Sequence, residues 1–339
     1  MSKICKGRSF PQDRRGVISG YGKAVPKQIM TNDDMAKIVD TSDEWIVTRT
    51  GIRQRYVIGE GESSATLALT AAKVAIKNAG LTENDIDLII CATMTPEMVC
   101  PSTACFVQQG LENDNAGAFD LNAACSGFTY ALSVAASFIA GGQNDHVLVV
   151  GVETMSTVMD YTDRSSCIIF GDGAGAVVVS AKENTDEGLA YSAMHADGNY
   201  WKTIVCPAYG SRNPASKPLS DKNDKFLQMH GRETYQISIR TIVDMIETTL
   251  ADCNLTMDDI AKVIPHQMNA RIIDSVVKRM RLPEDKMFIN IDKYANTSAA
   301  SIPIALGEAV DCGAIKKGDL VLLVAFGAGI TWGVNLVKL

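Results

Sequence analysis

Short apolar runs alternate along this chain with longer stretches whose apolar residues recur every three or four positions. Leu88–Ala92 (LIICA), His146–Gly151 (HVLVVG), Lys262–Pro265 (KVIP) and Leu320–Ala325 (LVLLVA) are too short for helices and lack polar alternation. They predict strands covered on both faces, because a strand with one wet face would alternate. Gly117–Leu121 (GAFDL) predicts a further short buried strand. The helical period marks Ser64–Ala79, Ser126–Ala140, Glu233–Ala251, Asn269–Met280 and Ala299–Asp311. Strand and helix alternate throughout, which predicts an α/β protein with buried parallel strands.

The pattern also repeats at a shift of 174 residues. Leu81-Thr82 falls on Leu255-Thr256, Asp85-Ile86 on Asp259-Ile260, Asn122 on Asn296, and Ala131-Leu132 on Ala305-Leu306. Helix meets helix and strand meets strand at this one shift, which predicts two homologous halves at 15–185 and 186–339. Residues 1–14 are expected to be a loose N-terminal extension. Two such halves would present the C-terminal ends of their strands to a shared crevice, where open α/β sheets bind ligands.

Composition narrows the class. The 46% hydrophobic and 21% charged residues are those of a globular protein with ample core, and the net charge of -7 argues against a nucleic-acid partner. No apolar run has the length of a membrane span, and the first residues, MSKICKGRSFPQDRRG, lack the apolar stretch of a secretion signal. The nine cysteines are scattered and form no CxxC pair. Neither a metal site nor a disulfide framework is expected, and the thiols suit a reducing cytoplasm.

Cys125 follows the strand Gly117–Leu121 through the small residues Asn122, Ala123 and Ala124 and stands at the start of an apolar helix. Unpaired N–H groups and the helix dipole at such a junction favour the thiolate, the nucleophilic form, so this placement is expected to activate the thiol. A cysteine that merely fills a helix–sheet gap is the structural alternative. The duplication decides for chemistry: His266 follows the strand of the second half, and Asn296 occupies the position equivalent to Asn122. All three are expected at one cleft. Of the other histidines, His146 opens a strand, His195 lies in a polar turn, and His230 reads as packing or a pocket wall.

Two glycine-rich stretches differ in meaning. Phe170–Ala176 (FGDGAGA) runs into Val177-Val178-Val179, a strand, whereas a phosphate-cradling loop should open a helix, so a nucleotide is rejected. Ala325–Gly333 (AFGAGITWG) turns tightly after the last core strand and could present an N–H to a reacting carbonyl. Near the expected cleft, Arg271 and Lys278 share one helix face, flanked by Arg279 and Arg281, a surface able to guide an acidic partner.

With these segments together, the chain resembles β-ketoacyl-acyl carrier protein synthase III of the thiolase superfamily. The matching segments are TSDEWIVTRTGIR (41–53), DLNAACSGF (120–128), DRSSCIIFGDGAGA (163–176), PHQMNARI (265–272), YANTSAASIPIAL (294–306) and AFGAGITWG (325–333). The resemblance implies a duplicated thiolase fold layered α-β-α-β-α, a homodimer, and a Cys–His–Asn triad falling on Cys125, His266 and Asn296. It implies that Trp45, Arg49, Arg164, Gly231, Tyr235 and Asn269 line the channel for coenzyme A or the carrier-protein arm. It assigns Arg271, Lys278 and Arg279 to docking of acyl carrier protein, and the backbone N–H groups of Cys125 and Ala328 to an oxyanion hole.

The implied reaction condenses an acyl-coenzyme A primer with malonyl-acyl carrier protein through an acyl-cysteine, with loss of carbon dioxide and no cofactor. Several positions depart from the family pattern. Met268 replaces a small residue, Ala295 and Ala328 stand where glycine is usual, and Gln236 replaces a lysine expected in docking. Cys100 occupies a place often held by a bulky residue that limits the acyl pocket across the dimer; with Met155 and Met268 it is expected to shape that pocket. The alternatives are a specialised synthase III-like acyltransferase or condensing enzyme of lipid or secondary metabolism, a cysteine hydrolase, and a non-catalytic binding homologue.

Overall fold

Strands covered on both faces need two layers of helix for every sheet, and the chain meets this need by sharing one layer between two sheets. The computed structural model describes residues 7–339. The first sheet runs, in spatial order, Arg14–Ala24, Asp172–Glu183, His146–Thr154, Leu88–Ala92 and Gly117–Leu121. The second runs Arg8–Ser9, Gly188–Ala196, Thr331–Lys338, Leu320–Gly327 and Lys262–Pro265.

The helices Gly127–Ala140 and Ser301–Asp311 lie between the sheets. Their Phe128, Leu132, Ile302 and Leu306 join Ile90 and Val149 of the first sheet and Leu323 and Ala325 of the second in a single core. The neighbouring strand residues Ile89, Leu148 and Val178 point the other way, onto Leu67, Ala71 and Ile76 of the outer helix Ser64–Asn78. On the far side, Val263, Leu322 and Leu336 pack on Ile242 and Ile246 of helix Gly231–Cys253 and on Ile273 and Val276 of helix Ala270–Met280. This is the α-β-α-β-α order, and it explains the unbroken apolar runs: alternate residues face different cores, and none faces water.

The 174-residue offset is visible element by element. Leu88 and Lys262 open equivalent strands, as do His146 and Leu320, and Gly127 and Ser301 open the two central helices. Each central helix is preceded by a 3-10 turn, Ala124–Ser126 and Ser298–Ala300, whose first residue has φ 47 in both cases.

Three expectations need correction. The sheets are mixed: Leu88–Ala92 runs parallel to both its neighbours and Lys262–Pro265 parallel to Leu320–Gly327, but the remaining pairs are antiparallel. Thr331–Lys338 follows its neighbour after only Ala328, Gly329 and Ile330, too short a link for a parallel crossover. Residues 8–14 are not loose, because Arg8 and Ser9 pair with Ser192 and Tyr191, Phe10 N–H bonds Ala190 O at 2.9 Å, and Arg14 opens a long strand. The free edge of the second sheet supplies those partners; residues 1–6 of the expected extension lie outside the described residues. Gly117–Leu121 is an edge strand and only partly buried.

The glycines of FGDGAGA serve this packing. A Cβ on Gly175 would lie 2.7 Å from Ile304 N and 2.8 Å from the Pro303 carbonyl carbon, in the central helix of the other half. Backbone cannot yield as a side-chain tip does, so Gly175→Ala is expected to destabilise the protein by about 2 kcal/mol, read as a lower urea midpoint with unchanged slope.

Candidate active site

Cys125 stands on a turn built from both halves. Asn122 Oδ1 accepts the Ala124 N–H at 3.1 Å, turning the chain out of its strand into the 3-10 turn that carries Cys125. Thr331 Oγ1 donates to Ala123 O at 2.9 Å, and Ser126 Oγ donates to Thr331 O at 3.1 Å. These bonds lock the Cys125 turn to the AFGAGITWG stretch. Gly327 permits the contact, since a Cβ there would lie 2.9 Å from the amide nitrogens of Cys125 and Ser126. The first N–H groups of a helical turn have no partner within it.

Cys125, His266 and Asn296 all line one cavity of about 370 Å³, together with Ala328 and Phe326. The convergence expected from the duplication is therefore present. The expected activation of the thiol is not: burial pushes Cys125 up to about 12, outweighing the neighbouring hydroxyl of Ser298 that favours the thiolate. Removing a charge from water costs more here than the turn's N–H groups return.

His266 follows its strand directly and is fixed by its N–H to Val324 O at 2.8 Å. Its Nδ1 lies 2.6 Å from Ser301 Oγ, and that oxygen also accepts the Gln267 N–H at 3.4 Å. With the serine donating to Nδ1, Nε2–H is the donor of a neutral ring. Burial holds His266 down at about 3, so the ring stays uncharged at physiological pH. Asn296 is tied to the first half through a bridge with Phe170, its N–H bonding Ile169 O at 3.0 Å. Its Oδ1 accepts the Ser298 N–H at 2.8 Å, so the amide Nδ2–H₂ remains as a donor. Two neutral donors from the second half thus share a cavity with a sulfur from the first.

Of the residues expected to hold coenzyme A, Trp45, Arg49, Gly231, Tyr235 and Asn269 line the same cavity. Arg164 does not line it. It covers Trp45 from outside, its guanidinium 4.8 Å from the ring centroid, with that of Arg49 at 4.7 Å. Asn269 caps helix Ala270–Met280 and donates to Arg49 O at 3.2 Å, joining the two segments that form this mouth. Arg271 lines the mouth, and Lys278 and Arg279 lie exposed further along the same helix, whose Ile272, Ile273 and Val276 are buried. Met155 and Met268 line the cavity, but Cys100 is exposed and stands apart from it. His195 belongs to the strand Gly188–Ala196, not a turn, and stacks on Trp332.

Sequence reasoning missed Glu153. It is fully buried, beside the turns that carry Cys125 and Ser298, and its carboxylate accepts from Ser298 Oγ at 3.0 Å and Thr95 Oγ1 at 2.5 Å. The available signal was an acid at the C-terminal end of an otherwise apolar strand, HVLVVGVET.

A family model described as 3-Oxoacyl-[acyl-carrier-protein (ACP)] synthase III matches residues 119–198, and its C-terminal counterpart matches residues 250–339. A β-ketoacyl-[acyl-carrier-protein] synthase III of Aliarcobacter butzleri is 46% identical over 318 residues, covering 94% of this chain and 96% of the relative. The chain belongs to the β-ketoacyl-acyl carrier protein synthase III family. Another synthase III, from Caldanaerobacter subterraneus, is 47% identical over 321 residues, 95% of this chain and 97% of the relative. The crystal structure of the synthase III of Aquifex aeolicus matches with a TM-score of 0.88 and 43% identity, covering 96% of this chain and 100% of that one. The layered, duplicated architecture is thus the thiolase fold of synthase III enzymes, and the enzyme is of the acyltransferase, condensing type. Ala295, which departs from the synthase III glycine, takes φ 57 and ψ -159, a conformation that strains an L-residue.

Proposed function

We propose that this enzyme condenses an acyl-coenzyme A primer with malonyl-acyl carrier protein, with loss of carbon dioxide, as the first step of fatty acid synthesis. The observation that carries this reading is the shared cavity of Cys125, His266 and Asn296, whose mouth bears Trp45 and Arg49. Cys125 sulfur attacks the primer thioester while the N–H groups of Cys125 and Ala328 hold the oxyanion, and coenzyme A leaves. A malonyl thioester then enters by the same mouth. Its carbonyl accepts from His266 Nε2–H and Asn296 Nδ2–H₂, so that loss of carbon dioxide leaves an enolate opposite two fixed donors. The enolate carbon attacks the acyl-cysteine and releases the thiolate. Neutral donors suit this step, and no cofactor is required by it.

A plain hydrolase or acyl-transfer enzyme has no use for an enolate-stabilising pair, and the retention of both donors favours condensation. We assign the exposed Arg271, Lys278 and Arg279 to the acidic carrier protein. A homodimer is supported by the edge strand Gly117–Leu121, whose outer backbone groups have no strand beside them among the described residues, and by the exposed Met98 and Val99 next to Cys100. The tip of that loop, with Cys100, would close the acyl pocket of a second copy. No described helix is long and apolar enough to cross a membrane, and we place the enzyme in the cytoplasm.

The test is a panel of acyl-coenzyme A primers, scored by the mass of acylated Cys125 and by the 3-ketoacyl carrier thioester formed with malonyl carrier protein. Release of free acid without any condensation product would overturn the reading. Reversing charge with Lys278→Glu plus Arg279→Glu is expected to raise KM for malonyl carrier protein about tenfold and leave acylation by acyl-coenzyme A within twofold. A KM unchanged by both substitutions would remove the docking assignment.

A further inference from the structure

The synthase III reading leaves one chemical question open: where the Cys125 proton goes. The thiol is held protonated by burial, and His266, the obvious acceptor, is pushed down to about 3 while its Nδ1 is engaged by Ser301. A hydroxyl group near the sulfur is that of Ser298, on the adjoining turn. Its hydroxyl favours the Cys125 thiolate and donates to Glu153 Oε1 at 3.0 Å. The two 3-10 turns that carry Cys125 and Ser298 pack directly on each other.

Glu153 is built to hold a charge inside the protein. Met94 N–H reaches both carboxylate oxygens at 3.2 Å, Thr95 N–H reaches Oε2 at 3.1 Å, and the Thr95 hydroxyl adds its bond to the same oxygen. Among the described residues, every group that bonds the carboxylate is a neutral donor, with no Lys or Arg among them. Burial nevertheless raises it to about 7. The titratable groups around it are Cys125, across Ser298; His266, on another wall of the cavity; and Asp172 on the adjacent strand, whose carboxylate is satisfied by Ser156 and the Ile58 N–H.

We propose that Ser298 and Glu153 form a proton relay for the nucleophile, with Glu153 as the acceptor of the thiol proton. As Cys125 sulfur bonds to the thioester carbon, its proton passes to Ser298 Oγ, and the serine's own proton passes to Glu153 Oε1. The carbonyl π pair moves to the oxyanion. When the tetrahedral adduct collapses, the sulfur–carbon bond to coenzyme A breaks, and the proton returns through Ser298 to the departing sulfur. Thiol plus thioester thus give thioester plus thiol, with Glu153 restored. The transfer is uphill and must accompany attack, but Glu153 at about 7 is a much better acceptor than His266 at about 3. Ser298 is the link nearer the sulfur, and Glu153 acts through it.

The repeat provides a clean probe. Ala124, the counterpart of Ser298 in the first half, takes the same φ of 47, so Ser298→Ala preserves the turn and leaves the Met94 and Thr95 bonds to Glu153 intact. Single-turnover acylation of Cys125 is followed by mass across pH 5.5–9 for the parent, Ser298→Ala and Glu153→Gln. The parent rate is expected to rise with a midpoint near 7 and level off, because Glu153 must be ionised to accept. Both variants are expected to lose that midpoint, to fall about 100-fold at pH 8, and to keep rising with pH as the thiol ionises unaided.

Ser298→Ala acylating within threefold of the parent, with the midpoint intact, would overturn the relay, and this variant decides the matter if Glu153→Gln does not fold. The relay rests on Cys125 being the acyl acceptor. Alkylation of Cys125 by iodoacetamide needs the same ionisation and no acyl thioester, so the same comparison made with it separates a failed relay from a failed function.

Discussion

Cys125→Ser is expected to abolish the mass increment that acyl-coenzyme A adds to the protein and to lower condensation by at least about 10⁴-fold. The substitution keeps a hydroxyl where the thiol stood, so the packing of the turn between Asn122 and Ser126 survives. What is lost is ionisation. The pocket already pushes the thiol up to about 12, and an alcohol starts far higher. Neither neutral His266 nor the turn's N–H groups can make up that difference. Intact-protein mass after incubation with acyl-coenzyme A reads the result, with circular dichroism reporting that the fold is kept. Acylation at the parent rate would mean that another residue is the nucleophile.

Asn296→Ala is expected to act on the second half of the reaction only. Acylation should stay within about threefold of the parent, whereas release of carbon dioxide from malonyl carrier protein should slow by about 10²–10³-fold, the usual loss for one oxyanion donor. The reason is positional: the Asn296 carbonyl is held by the Ser298 N–H at 2.8 Å, so its amide hydrogens have a fixed direction before substrate arrives. An enolate that forms against one donor instead of two loses stabilisation that water cannot replace in a buried cavity. The pH dependence of this step carries a second check. Burial holds His266 down at about 3, so the ring is neutral across the working range and carbon dioxide release should show no titration near the ordinary histidine value. A loss of acylation equal to the loss of decarboxylation in Asn296→Ala would remove the division of roles.

Much of this was legible in the amino-acid order. Leu88–Ala92 and Lys262–Pro265 end where the apolar runs end, because strands packed on both faces leave no polar residue to blur the boundary. The convergence was legible through the duplication: Cys125 and His266 follow strands, Asn296 takes the position equivalent to Asn122, and all three line one cavity. Arg164 shows the limit of motif reading, since it matches the family segment yet sits behind Trp45 instead of in the cavity. Cys100 shows another, being exposed in the isolated chain.

The chain by itself determined the α/β class and the repeat and pointed to Cys125, His266 and Asn296, because periodicity and spacing are properties of a linear string. Only the tertiary structure decided how those groups behave. Whether Cys125 is ionised depends on how many atoms displace water around one sulfur, and burial reversed the expectation drawn from the helix start. Whether FGDGAGA binds a ligand or packs against backbone depends on Ile304, more than a hundred residues away. Glu153 gained its meaning in the same way: an acid in an apolar strand says little until Ser298, from the opposite half, is seen to stand between it and the thiol. Desolvation and close approach are sums over neighbours in space, and the order of residues along the chain does not contain that sum.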